Sequence, residues 1–327
     1  MRIAVLGAGA FGTALAVHLR GLSHETLIWT RSATKAAQIP LGSNHEALPG
    51  VEFEPGVPAV TLIDQALEGA DLAILATPSL AIRETLVAVN DRRPGLRVVC
   101  VAKGIDPKTL ELHWQIAAAV APASPFCALT GPSFAREVLS GQPTALVAAS
   151  RDAAFAQEVQ NTFSGPRLRV YESDDVQGAE MAGALKNVIA IAAGMVSGLK
   201  CGENTRAALI TRGLAEISRL VVASSGRAET VAGLAGLGDL VLTCSSNQSR
   251  NYQFGRLVAE GKEASEVLHS LGTVEGFRTT SAACLLGERL GVETPIAREV
   301  RGVLVQGVSP QDAVAALMLR RLKREVH

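Results

Sequence analysis

From Ile3 to Leu6 the chain is apolar and β-compatible, a knot of three glycines follows, and Thr13 to Leu19 is alanine-rich and amphipathic. That pattern predicts a strand, a tight turn and a helix in immediate succession. A second strand is expected within "ETLIWTRS" (Glu25 to Ser32), and strand-like runs recur at Leu72–Pro78, Arg97–Gly104, Phe126–Pro132, Thr144–Ser150 and Leu168–Ser173, with helical patterning between them. Such alternation predicts an α/β fold built on a doubly wound sheet. Beyond Asp175 the strand signals cease. The remainder predicts an all-α domain, with Thr294-Pro295 and Ser309-Pro310 marking helix starts by an N-cap followed by proline. The switch falls between Asp175 and Gly178 and divides the chain into residues 1–177 and residues 178–327. The stretch from Ile39 to Val60, rich in Pro and Gly, is expected to be a long surface loop.

A chain of 327 residues accommodates these two domains. Its composition, 48% hydrophobic with only 4% aromatic residues, implies a large aliphatic core and an oligomer face, taken here as that of a homodimer. With 31 basic and 31 acidic residues there is no global field to recruit nucleic acid or an anionic membrane. The cysteines at 100, 127, 201, 244 and 284 lack C-x-x-C spacing and pair with none of the six histidines as metal ligands. A reduced, cytoplasmic setting without a structural metal is expected. The longest near-continuous apolar run, Val188 to Leu199, is shorter than the ~20 residues a bilayer requires. It reads as a buried core helix, and no membrane insertion is expected. Glycines interrupt the apolar start of the chain and no cleavage region follows, so it is not read as a secretory signal.

The glycine knot is Gly7, Gly9 and Gly12, spaced G-x-G-x-x-G between a strand and a helix. In that setting the first glycine permits the turn, the second admits a pyrophosphate to the backbone, and the third lets helix and strand pack. The phosphates then lie on a helix N-terminus, where free N–H groups and the dipole favour negative charge. The first half is therefore read as Rossmann-like and dinucleotide-binding. The second strand ends in Trp29, Thr30, Arg31 and Ser32, with no carboxylate for the ribose hydroxyls. A cation at that tip suits a 2′-phosphate, so NADP is preferred and NAD remains open.

Ligands of open α/β sheets bind beyond the carboxyl ends of the strands. Lys103 sits at such an end, where a cation is costly unless it meets an anion or solvent. Thr130, Gly131 and Ser133 follow the next strand, while Thr77 and Ser79 read more simply as turn residues. In the helical half, Lys186 shares its face with Ala182, Gly183, Ile189 and Ala190. Such a lysine is desolvated, which lowers an ammonium pKa toward the range useful for proton transfer. The alternative is a lysine snorkelling from an interface helix. Further on, Asp239, Thr243, Ser249, Arg250 and Asn251 gather in a Gly- and Ser-rich stretch, and Arg250 suits bidentate phosphate recognition. Cys244 is expected to fill a small buried space.

The segments "GAGAFGTALA", "AKGI", "LTGPSFA", "GAEMAGALKNVIAIAAG", "NTRAALITRGLAE", "GLAGLGDLVLTC" and "SRN", in this order, make nearly the whole chain resemble the bacterial NAD(P)-dependent glycerol-3-phosphate dehydrogenases. The resemblance implies interconversion of dihydroxyacetone phosphate, a phosphorylated triose, and glycerol 3-phosphate for phospholipid synthesis. It makes Lys186 the proton-transferring lysine, with Lys103 and Asp239 completing the catalytic set. Substrate contacts are implied at Lys103, Gly131, Ser133, Asn187, Thr243, Ser249, Arg250 and Asn251. Cofactor contacts are implied at Gly7, Gly9, Ala10, Phe11, Gly12, Arg31, Lys103, Ala135, Arg250, Val274 and Glu275. Two departures bear on the cofactor: a tryptophan is common where Phe11 stands, and "LGTVEGFRTT" is one residue shorter than usual before Glu275. On this reading hydride passes from NADPH to the ketone carbon, Lys186 protonates the alkoxide, Lys103 and Asn187 orient the ketone, and Arg250 with Asn251 hold the phosphate. Asp239 would stabilise the charged lysine and Thr243 position it. Two rivals are a β-hydroxyacid dehydrogenase and a non-catalytic NAD(P)-binding redox sensor. The former family carries an asparagine one helical turn after its lysine, where this chain has Ala190 and places Asn187 adjacent instead.

Overall fold

The computed structural model describes residues 1–319. Eight strands form one sheet: β1 (Arg2–Leu6), β2 (Glu25–Trp29), β3 (Ala59–Val60), β4 (Leu72–Leu75), β5 (Arg97–Cys100), β6 (Phe126–Thr130), β7 (Thr144–Ala149) and β8 (Leu168–Ser173). Their order is β3-β2-β1-β4-β5-β6-β7-β8, with every pairing parallel except β6 with β7. This is the expected doubly wound α/β sheet with a reversal near one edge. Strands covered on both faces must be apolar on both. Accordingly Ile3, Val5, Ile74, Val99 and Leu129 enter the core on one face, and Ala4, Leu6, Ala73, Leu75 and Val98 enter that on the other.

The expected strands at 72–78, 97–104 and 126–132 end early, at Leu75, Cys100 and Thr130, and their remaining residues form the loops that face the site. The stretch Ile39–Val60 is not simply a surface loop. It contributes β3, and it buries Ile39, Asn44, Leu48 and Val57 almost completely. Asn44 Nδ2 donates to the Ala8 carbonyl at 3.1 Å and to Thr13 Oγ1 at 2.9 Å, which fastens this stretch to the glycine turn.

After β8 the described residues are helical. A central helix spans Val176–Gly198 for 23 residues, started by Asp175, whose carboxylate accepts from the Gly178 N–H at 2.8 Å. It is almost wholly buried, and the apolar run at 188–199 understates it. By length and composition it could cross a membrane, but 89% of its most apolar 18-residue window is buried by the rest of the chain. Small residues decide how its neighbours pack. A Cβ on Gly194 would stand 2.1 Å from the Tyr252 carbonyl oxygen, and one on Gly255 would stand 1.9 Å from that of Ile191. The helix Arg250–Ala259 therefore crosses the central helix at backbone contact, which brings Asn251 beside Asn187.

Candidate active site

The glycine turn has the shape a pyrophosphate requires. Gly7 adopts φ +123°, and a Cβ there would lie 2.6 Å from backbone atoms of Ala76. A Cβ on Gly12 would meet the Gly7 carbonyl oxygen at 2.3 Å, so β1 and the helix Ala10–Gly21 pack in direct contact. Gly9 differs: its Cβ would find no heavy atom nearer than 3.9 Å. The space lies at the end of the helix where Gly9 is the N-cap and no side chain caps the first turn. Open space over unpaired amides is what an anionic pyrophosphate fits. Ala10 and Phe11 begin that helix, with Phe11 packed partly into the sheet core. Arg31 lies exposed just beyond β2, on the neighbouring strand tip.

Past the carboxyl ends of β5 and β6, the two halves share a charged cluster. Asp239, 2% exposed, stands at the start of the helix Asp239–Ser245 and holds two lysines, one on each carboxylate oxygen. Lys186 Nζ on the central helix reaches Oδ1 at 2.5 Å, and Lys103 Nζ from the β5 loop reaches Oδ2 at 2.5 Å. Lys186 also donates to Thr243 Oγ1 at 2.6 Å, while Lys103 donates to the Gly131 carbonyl at 3.2 Å. Thr243 Oγ1 in turn donates to the Asp239 carbonyl at 2.6 Å. Lys186 is thus no snorkelling lysine.

Burial pulls the Lys186 ammonium down; the Asp239 carboxylate opposes this and the Lys103 charge reinforces it, leaving a pKa of about 8. Burial pushes the Asp239 carboxyl up, but the two ammonium groups outweigh it and hold the acid below its ordinary range. The cluster carries one net positive charge next to the open strand ends.

A polar chain continues from it. Asn251 Nδ2 donates to Asn187 Oδ1 at 3.0 Å, and Asn251 Oδ1 accepts from the Gly276 N–H at 2.9 Å, in the first turn of the helix Glu275–Leu290. Val274 is the buried N-cap of that helix, and Glu275 Oε1 accepts from the Ser79 N–H beyond β4 at 3.2 Å. Burial raises the Glu275 carboxyl despite the Arg278 and Arg250 charges nearby. Arg250 itself is exposed at the start of its helix. Ser249 is buried as that helix's N-cap, accepting from the Tyr252 N–H at 3.2 Å, so its hydroxyl has a structural task. Ser133 Oγ donates to the Gly131 carbonyl at 3.1 Å, and Ala135 opens the short helix Ala135–Leu139. Cys244 is fully buried, as expected, and its thiol is pushed up to about 12 mainly by burial.

No cysteine and histidine are spaced as metal ligands along the sequence, but the fold brings one of each together: Cys100 Sγ lies 3.6 Å from His113 Nδ1, with Glu180 beside them. The residues come from β5, the helix His113–Val120 and the central helix, so no local spacing could have announced them. Ser79, which reads as a turn residue, meets His113, and Asn44, inside the expected loop, anchors the glycine turn; in sequence a buried anchor and a turn look alike.

A dinucleotide turn and a desolvated lysine held by a carboxylate, both at the carboxyl ends of parallel strands, define the class as a nicotinamide-dependent oxidoreductase. The chain belongs to the NAD-dependent glycerol-3-phosphate dehydrogenase family, whose N-terminal model matches residues 2–156 and whose C-terminal model matches residues 175–315. It is 46% identical to the glycerol-3-phosphate dehydrogenase [NAD(P)+] of Anaeromyxobacter dehalogenans, covering 100% of both chains. It is also 46% identical to the protein of that name from Acidobacterium capsulatum, covering 98% of each. The crystal structure of glycerol-3-phosphate dehydrogenase from Coxiella burnetii superposes with a TM-score of 0.93 at 37% identity, covering 98% of this chain and 99% of that one.

Proposed function

We propose that this chain interconverts dihydroxyacetone phosphate and sn-glycerol 3-phosphate, using NADPH in preference to NADH, and so supplies the glycerol backbone of phospholipid. The carrying observation is Lys186: a buried ammonium with a pKa of about 8, fixed by Asp239 and Thr243 and facing the loops at the strand ends.

Gly7, Gly9 and Gly12 would hold the pyrophosphate of the dinucleotide, which when bound and reduced would supply the hydride for the ketone carbon. Lys186 donates its proton to the oxygen as negative charge grows there, and in the reverse direction its amine takes that proton back. Lys103 orients the ketone and adds positive potential; its bond to the Gly131 carbonyl fixes where it points. Asp239 keeps both ammonium groups in place without accepting their protons, since its own pKa is depressed. Arg250 and Asn251 bind the phosphate, and Asn187, tied to Asn251, sets the distance between phosphate and carbonyl. Ser133 completes the substrate side, while Ala10, Phe11, Arg31, Ala135, Val274 and Glu275 line the cofactor side. On this reading residues 1–177 form the dinucleotide-binding domain and residues 178–327 the substrate domain, with Lys103 and Ser133 reaching the substrate from the first and Val274 and Glu275 the cofactor from the second. The protein acts as a cytoplasmic homodimer, a state that light scattering on the purified protein checks.

The test is turnover of dihydroxyacetone phosphate with NADPH and NADH in parallel. Turnover with neither overturns the reading and returns the chain to the redox-sensor alternative. Within it, Arg31→Asp replaces an attractive charge with a repulsive one, so it should raise KM for NADPH about tenfold more than for NADH. Equal loss for both cofactors would remove Arg31 from the 2′-phosphate site.

A further inference from the structure

A second buried polar cluster lies outside the site just described. Cys100 at the end of β5, His113 at the start of its helix and Glu180 on the central helix are each buried, and one donor atom from each lies within 4.8 Å of the other two. Sγ of Cys100 is 3.6 Å from His113 Nδ1, which is 3.8 Å from Glu180 Oε1. A tetrahedral zinc centre with thiolate, imidazole and carboxylate donors sets those atoms roughly 3.3 to 3.6 Å apart, so a small contraction closes the set.

Two independent features point inward. Glu180 Oε2 accepts from the Trp114 N–H at 3.0 Å, but Oε1 is buried with no hydrogen-bond partner among the described residues. A buried carboxyl oxygen left this way is settled by a proton of its own or by a cation brought beside it. His113 Nε2 lies 2.8 Å from Ser79 Oγ, and in the tautomer that donates its Nε2 proton to that hydroxyl the Nδ1 lone pair faces Cys100 and Glu180. Metal-bound histidines are oriented by such a bond on their other nitrogen.

We propose that Cys100, His113 and Glu180 form a structural site for a zinc-class divalent cation. The thiolate and the carboxylate neutralise the ion's two charges, and the neutral imidazole adds a third bond. A water or backbone oxygen takes the fourth position. The ion staples the sheet half, through Cys100 and His113, to the helical half, through Glu180. It sits next to the Lys103 loop, because Ser79 packs against Gly104, where a Cβ would fall 2.1 Å from the serine Oγ.

The test uses the full chain in a Cys201→Ser background, which removes the exposed thiol. Protein purified without chelator should contain about one zinc per chain by elemental analysis. After chelator dialysis, Co²⁺ should titrate with one equivalent to a thiolate-to-cobalt charge-transfer band. Cys100→Ala should abolish that band. Glu180→Gln, a gentler change should the alanine variant fail to fold, should weaken Co²⁺ binding at least about tenfold with circular dichroism unchanged. Absence of stoichiometric metal and of the band in folded protein overturns the site. So does cobalt binding that is undiminished in either variant, since the ion then sits elsewhere. These readouts need no turnover, so they stand apart from the test of the reaction.

Discussion

The central helix carries two buried polar clusters, one around Lys186 and one around Glu180, six residues or roughly 9 Å apart along its axis. They are built differently. Around Lys186 each Asp239 carboxylate oxygen holds an ammonium group and Thr243 fills a further bond, so the charges are fixed before a substrate arrives. Around Glu180 an acid, a thiol and an imidazole meet with one carboxylate oxygen left over. Inside a protein a complete polar network is rigid and an incomplete one is expensive. The first arrangement suits a proton donor that must already be in position, and the second suits an ion that arrives during folding and stays.

The sharpest way to break this contrast is Lys186→Met, which keeps the unbranched stem and deletes the donor. The variant should fold, titrate NADPH by fluorescence, and lose kcat by about 100-fold or more. A nearly normal kcat would hand the acid role to Lys103. On the other cluster, Ser79→Ala removes the hydroxyl that orients His113 and should lower zinc affinity by roughly 10- to 100-fold, read by competition with a chelating dye. Unaltered affinity would separate Ser79 from any ligand role.

Protonation gives a milder test. With Lys186 near 8, kcat for ketone reduction should fall about tenfold between pH 7 and 9, as the donor loses its proton, while glycerol 3-phosphate oxidation should rise over the same window. The midpoint belongs to the lysine–aspartate–lysine unit as a whole. A flat profile in both directions, with chemistry rate-limiting, would contradict the assignment. The smallest effect is expected for Thr243→Val. Asp239 still holds Lys186, so losing one hydrogen bond worth about 1 kcal/mol should reduce kcat about fivefold. A loss matching that of Lys186→Met would mean that the hydroxyl, rather than the carboxylate, fixes the ammonium.

What the sequence disclosed follows the range of the physics involved. The glycine turn, the strand runs and the Pro-marked helix starts are local, and each shows in a few neighbouring residues. Lys186 was conspicuous because its helical face is otherwise apolar. The resemblance to known dehydrogenases supplied Asp239 and Thr243 as partners, though not the sharing of one carboxylate between two lysines. Cys100, His113 and Glu180 escaped notice because their meeting depends on three elements packing together. β3 was missed because two residues leave no periodicity to read, and Asn44 because polar anchors resemble loop residues until the fold surrounds them.

The reversal between β6 and β7 has a consequence for counting. Because β8 runs parallel to β7, it ends at the edge of the sheet opposite the one where β5 and β6 deliver Lys103 and Gly131. The chain has to travel back before it can contribute to the same pocket, and the central helix makes the journey along β6, from Val176 and Ala179 beside Ala128 to Gly183 beside Thr130. A helix advances by turning, roughly 100° and 1.5 Å per residue. Inserting or deleting one residue between Asp175 and Lys186 would therefore swing the ammonium a quarter-turn or more away from Asp239 while leaving every side chain chemically intact. The length of that segment is as much a part of the pocket as the lysine at its end.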